Sequence, residues 1–187
     1  MIIGYEIYGY DNKSHMTGSC DKLKPELVDI PKCKVCGYIE DYRYLDRNFI
    51  LKKKTLHYSS TYDNVAIVSL KFKEFCIRNK YDNLVFVDLP NVPNFFMFYV
   101  TGNVIEYTAM RKENLCQACG LCESVIGPTS SLEQLKEPLK DGFYQSDLWF
   151  GSNNSKFPIF IVAPVTKEKM DLESLKPIDF NEIQSKV

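Results

Sequence analysis

Apolar and polar positions alternate from the first residues of the chain. Ile2, Ile3, Tyr5 and Ile7 lie around a single charged Glu6, which predicts a strand within residues 1–10. That segment does not read as a leader peptide, because Glu6 interrupts it, no basic residues precede it and no small-residue cleavage pattern follows. A polar, glycine-containing stretch over 11–22 predicts a loop. Residues 49–58 have the composition of a strand broken by Lys52, Lys53 and Lys54, a basic run read as a solvated strand or loop face.

Further on, the β-branched run 65–68 leads into a helical pattern in which Val68, Phe72, Phe75, Cys76 and Asn79 share one face. Asp82 and Asn83 signal a turn, and Leu84, Val85, Phe86 and Val87 then predict a buried strand ended by Pro90. The most apolar run, 92–100, is too short to span a bilayer. Over 143–150 aromatic residues alternate with Gln145, Ser146 and Asp147, the pattern of a partly exposed strand. Phe160 to Ala163 predict a strand, Thr166 to Lys169 a short helix, and Ile178 to Phe180 a return strand.

This last pattern repeats the earlier one. Aligned without gaps, Ile67-Val68 meets Ile161-Val162, Lys73-Glu74 meets Lys167-Glu168, and Phe86 meets Phe180. An internal duplication changes the whole fold expectation. It predicts an α+β protein of two related strand–helix–strand halves, 24–90 and 107–184, within a single domain covering 1–187.

Composition narrows the functional classes. A chain of 187 residues with 45% hydrophobic positions can bury a core without disulfides. Its 23 basic and 24 acidic residues leave a net charge of −1, so nothing suggests electrostatic capture of nucleic acid or an anionic membrane. No phosphate-binding glycine loop, dinucleotide fingerprint or nucleophile elbow is present. His15 and His57 stand apart from other metal ligands, and the acidic residues form no recognisable catalytic pair.

The chemistry lies in the cysteines. Cys-x-x-Cys-Gly occurs twice, at Cys33-Lys34-Val35-Cys36-Gly37 and at Cys116-Gln117-Ala118-Cys119-Gly120. Each is a tight turn that grips a metal through two sulfurs, and the glycine lets the turn reach a left-handed conformation without a Cβ clash. Two such turns supply four thiolates, enough to close a tetrahedral structural zinc site. We expect Cys33, Cys36, Cys116 and Cys119 to hold one Zn2+, clasping two distant segments in a zinc-ribbon-like site. Three other readings stand beside it, of which disulfides are disfavoured by a reducing compartment and cannot pair all seven cysteines. A redox pair would need a helix following the motif. An iron–sulfur cluster could use the Cys116-Cys119-Cys122 run completed by a remote cysteine. Cys122 is a spare thiol beside the site, Cys76 reads as a small buried hydrophobe, and Cys20 has no evident role. With neither a leader pattern nor a bilayer-spanning run, a soluble, cytoplasmic protein is expected, and in that reducing compartment cysteines at metal-ligand spacing favour metal binding or catalysis over disulfides.

The paired, widely separated Cys-x-x-Cys-Gly motifs resemble those of the bacterial double-CxxCG family. Ser146-Asp147-Leu148-Trp149 and the closing Ile178-Asp179-Phe180 are similar as well, so the resemblance spans roughly Cys33 to Phe180. Some members of that family are immunity proteins, which bind and neutralise a cognate toxin. The resemblance thus implies a non-catalytic, zinc-binding inhibitor with a protein partner. The alternative is a zinc-ribbon nucleic-acid-binding or regulatory protein, and a thiol enzyme is a third class. Tyr144 and Trp149 are the expected interface anchors, with Asp147 and Asp141 as acidic neighbours suited to a basic toxin.

Overall fold

The computed structural model describes residues 1–19, 22–128, 135, 137–175 and 177–185. Among them the chain forms β1 (Ile2–Tyr8), β2 (Tyr10–Asp11), β3 (Tyr58–Ser60), β4 (Ala66–Ser69), α1 (Leu70–Arg78), β5 (Leu84–Asp88) and β6 (Phe95–Val100). There follow β7 (Val104–Ile105), β8 (Ala109–Leu115), β9 (Cys122–Pro128), β10 (Phe143–Ser152), β11 (Phe157–Val162), α2 (Pro164–Leu172) and β12 (Asp179–Gln184). A seven-stranded sheet runs β12-β1-β11-β10-β9-β8, with β7 alongside β10. A five-stranded sheet runs β2-β3-β4-β6-β5. The chain passes from the first sheet to the second at Gly9, where an added Cβ would stand 2.6 Å from the Ser59 carbonyl carbon.

The fold is therefore mostly β, and the α+β expectation is only loosely met. Among the described residues its helical part is α1 and α2, whose positions bear on the expected repeat. In the gapless pairing Leu70 falls on Pro164 and Arg78 on Leu172, so the two helices coincide end to end. Both strand–helix–strand units also share a topology. β4 and β5 flank β6, antiparallel to each, and β11 and β12 flank β1 in the same way. The middle strand of the second unit is thus the N-terminus of the chain.

Local chemistry sets each helix. Ser69 caps α1 by accepting from the Phe72 amide at 3.4 Å, and Phe72, Phe75 and Cys76 turn inward. Pro164 opens α2, where its missing N–H costs nothing, and Thr166 and Met170 turn inward. These faces meet in one aromatic core between the sheets. Phe98 lies 6.0 Å from Phe143 and 5.6 Å from Phe160, and Phe72 lies 6.1 Å from Phe143, ring centroid to centroid. Both sheets contribute to that cluster.

Two expected strands differ. Residues 49–57 form no strand; Phe49, Leu51 and Leu56 are buried as separate anchors with the lysines looped between them. Leu84–Val87 do form a strand, but β5 is the sheet edge and its residues are half-buried. Among the described residues from Asn12 to His57 there are only isolated bridges. Buried carboxylates hold this segment: Asp63 accepts from the amides of Met16, Thr17 and Gly18, and Asp46 meets Lys24 at 2.6 Å.

Asp141 ties the two units together. It accepts from Tyr81, just beyond α1, at 2.9 Å and from Thr166 of α2 at 2.8 Å, and it pairs with Lys169. Burial works against its ionisation, but these donors prevail and hold its pKa below the usual carboxylate range. A depressed carboxyl pKa contributes stability above the unfolded-state value and loses it as pH falls through the folded-state value. Asp141→Asn should therefore cost about 1 kcal/mol at neutral pH. Denaturant melts at a series of pH values should show that deficit closing on acidification. A deficit independent of pH would contradict the role of the charge.

Candidate metal centre

The two Cys-x-x-Cys-Gly turns are built alike on unlike supports. In the first, the Gly37 amide donates to the Cys33 carbonyl and the Cys33 amide to the Tyr38 carbonyl, each at 2.9 Å. In the second, Gly120 donates to the Cys116 carbonyl at 2.8 Å and Cys116 to Leu121 at 2.9 Å. Gly37 has φ of +77° and Gly120 of +74°. A Cβ at either would meet nothing within 4 Å, so backbone conformation, not space, requires glycine there. The second turn is the tip of the β8–β9 hairpin, where Leu115 pairs with Cys122. The first is closed only by the bridge between Lys32 and Ile39.

These supports bring together sulfurs that are 83 positions apart in the chain. Cys33 Sγ lies 3.9 Å from Cys116 Sγ, and Cys36 Sγ lies 3.7 Å from Cys119 Sγ. All four lie within 4.8 Å of one another, and none is in a disulfide. A tetrahedron with metal–sulfur bonds of ~2.3 Å has sulfur–sulfur edges of about 3.8 Å, so the group has the dimensions of a single-ion site. A multi-iron cluster spreads its cysteines over several iron atoms and would hold them further apart. Among the described residues this is the group of side chains placed to hold a metal.

The turns also favour the thiolate where a ligand needs it. Backbone amides of Cys36 and Val35 point at Cys33 and lower its pKa, the Val35 N–H lying 3.4 Å from the sulfur. Amides of Cys119 and Ala118 do the same for Cys116, drawing it down to about 7. Burial pushes Cys36 up. At Cys119 the Leu121 amide favours the thiolate, but burial and the neighbouring sulfurs outweigh it and the pKa rises to about 12. A bound cation reverses that preference, since metal and proton compete for the same sulfur.

The turn joining β10 to β11 fits against both knuckles. Asn154 accepts from the Ile39 amide at 3.0 Å, beyond the first knuckle, and the Asn153 amide donates to the Glu123 carbonyl at 2.8 Å, beyond the second. Lys156, 5% exposed, sits 4.1 Å from the centroid of the Tyr38 ring and donates to the Glu123 carbonyl at 3.3 Å. The sequence carries no signal for this lysine, because Asn153-Asn154-Ser155 reads only as a turn.

Other singled-out residues fall as follows. Cys122 opens β9, half-buried, and lies outside the four-sulfur group. Cys76 is fully buried in α1, and burial pushes its thiol pKa up. Cys20 lies outside the described residues. Neither knuckle is followed by a helix, the support a redox pair would use. The His57 ring lies 2.9 Å from the Ser69 hydroxyl and the His15 ring 2.8 Å from the Gly18 carbonyl, both local structural contacts. Trp149, half-buried, packs edge-on against Tyr42 at 5.0 Å. With exposed Asp147 it lines a cleft of about 470 Å³ beside the second knuckle, together with Leu121, Cys122, Leu148 and Lys156. Tyr144 is not part of that cleft and donates to the Lys140 carbonyl at 2.9 Å. The alternation of β10 breaks between Gln145 and Trp149, where the register shifts against β11.

No family model, no curated protein and no solved structure matches the chain. Among the described residues no helix is long and apolar enough to cross a membrane.

The geometry makes a direct prediction for the cysteines. Cys36→Ser and Cys119→Ser should each weaken metal binding by about tenfold or more and lower the melting temperature, while Cys122→Ser leaves both near wild type. Elemental analysis with thermal melts reads both. Wild-type melting of Cys36→Ser, or metal loss in Cys122→Ser, would contradict the assignment.

Proposed function

We propose that the four cysteines hold one structural zinc and that the protein acts by binding a protein partner, without catalysis of its own. The observation that carries this reading is the closed set of four sulfurs at tetrahedral spacing. Such a set leaves no open position at the metal for substrate or activated water. The buried acids also have partners that account for them. Glu6 takes hydroxyls from Tyr8 and Tyr107, and Asp63 caps backbone amides. Two related halves, 24–90 and 107–184, follow from the same reading: like knuckles, like strand–helix–strand topology and coincident helices support a duplication.

The partner is inferred by resemblance. Motifs shared with the double-CxxCG family point to an immunity-type inhibitor of a cognate toxin, acting in the cytoplasm. Trp149 and Asp147 line the cleft beside the second knuckle and are its best-placed contact residues, with one Asp147 oxygen already accepting from the Tyr107 amide at 2.8 Å. Tyr144, half-buried and off the cleft, is a weaker anchor, and Asp141 is engaged within the fold. The nucleic-acid alternative gains no support from a net charge of −1.

Co-expression with the product of the adjacent gene, followed by pull-down and a toxicity assay, tests this function. Rescue should disappear in Trp149→Ala while metal content and cooperative unfolding are retained, because interface anchors carry most of the binding energy. Failure to bind any neighbour-encoded protein, or thiol-dependent turnover by the isolated chain, would contradict it.

A further inference from the structure

Lys156 is an unusual lysine. Its side chain is buried, 5% exposed, yet among the described residues no carboxylate lies within ion-pair distance of its ammonium. Its hydrogen bonds go to the neutral carbonyls of Asn153 and Glu123, and its remaining contact is the face of Tyr38. Burying a cation on such partners alone is costly, and lysine more often reaches water or an acid. A buried ammonium therefore calls for a nearby anion.

Its surroundings supply one. Tyr38 follows Cys36 by two positions, and Gly120 and Leu121, which line the cleft with Lys156, directly follow Cys119. The ammonium thus sits where the chain leaves both knuckles. Burial draws its pKa below the ordinary lysine value, and the groups acting the other way are Cys36, Cys122 and Cys119, ahead of the Glu123 carboxylate. A divalent ion bound by four thiolates keeps a net double negative charge. Two of its cysteines are buried and two are half-buried, so that charge lies partly out of contact with water. Lys32 and Lys34 border Cys33 but are exposed, so water and salt weaken their effect.

We propose that Lys156 is the counter-cation of the four-cysteine metal centre, an ammonium held between the two knuckle exits to offset the negative charge that four thiolates leave on a divalent ion. The inference rests on the reading that the cluster binds such an ion. Lys156 is a positioning and electrostatic residue, not a ligand. By stabilising the thiolates it strengthens retention of the metal and makes the bound sulfurs poorer electron donors.

The test uses the full chain loaded with cobalt(II), whose sulfur-to-metal charge-transfer band reports on the thiolates, and with zinc in competition against a chromophoric chelator. Lys156→Gln keeps an amide that can donate to the two carbonyls but removes the charge; Lys156→Arg keeps the charge. Lys156→Gln should lose zinc about tenfold more readily, the scale of outer-sphere changes at metal sites, and should shift the cobalt band to lower energy. Lys156→Arg should restore both, and Lys32→Gln should change neither. If Lys156→Gln does not fold, Lys156→Met gives the same two readings with an apolar stem in place. Unchanged retention and an unmoved band in the neutral variants would overturn the proposal. Failure of the wild-type chain to bind cobalt or zinc is a separate result, which would overturn the metal reading itself.

Discussion

The structure depends on the meeting of four sulfurs carried by segments 83 positions apart. Bringing four thiols within 4.8 Å of one another has no stabilising term of its own. Thiolates repel at that distance, and thiols make weak hydrogen bonds. A cation changes the sign of the interaction. One ion would convert repulsion into coordination, and its binding free energy would offset the closure entropy of the long intervening loop.

The two sides of the clasp do not need it equally. The second knuckle sits on a hairpin with its own backbone ladder, tied through β10 to the core. The first sits in a segment that runs from Asn12 to His57 with isolated bridges as its only sheet pairing among the described residues. Asp63 and the Lys24–Asp46 pair hold that segment at two places, and a few anchors such as Phe49 and Leu51 bury apolar surface. Between these points Leu27, Ile30 and Ile39 form a small buried cluster, the β10–β11 turn meets the first knuckle through Asn154, and an ion at the four sulfurs would complete the clasp. The hairpin is a fixed surface, and the first knuckle is fastened to it.

Much of this was legible where chemistry is local. The cysteine spacing pointed to the four residues whose sulfurs the fold gathers within 4.8 Å, and the helical spacing of Phe72, Phe75 and Cys76 located α1 and its buried face. The gapless pairing of the two strand–helix–strand units anticipated that α2 would occupy residues equivalent to α1. What was not legible depends on distant partners. β8 carries Met110, Arg111, Lys112 and Glu113 in succession and has no apolar face to announce it, because it is a sheet edge open to solvent. Residues 49–57 carry strand-like composition yet pair with no strand, so Phe49, Leu51 and Leu56 anchor a loop. Lys156 looks like any turn lysine until the knuckles close over it. That β1 completes the second unit could not be read from a linear repeat, since the strand enters from the other end of the chain.

Native-state hydrogen exchange before and after chelation addresses the central claim most directly. If the ion orders the first knuckle, removing it should abolish protection of the Cys33 and Gly37 amides, which donate within that turn, and of the Ile39 amide bonded to Asn154. Protection at these amides should be lost first or more completely than in β4 and β6, the paired strands of the core. Full retention of protection at Cys33, Gly37 and Ile39 in demonstrably metal-free protein would contradict the account.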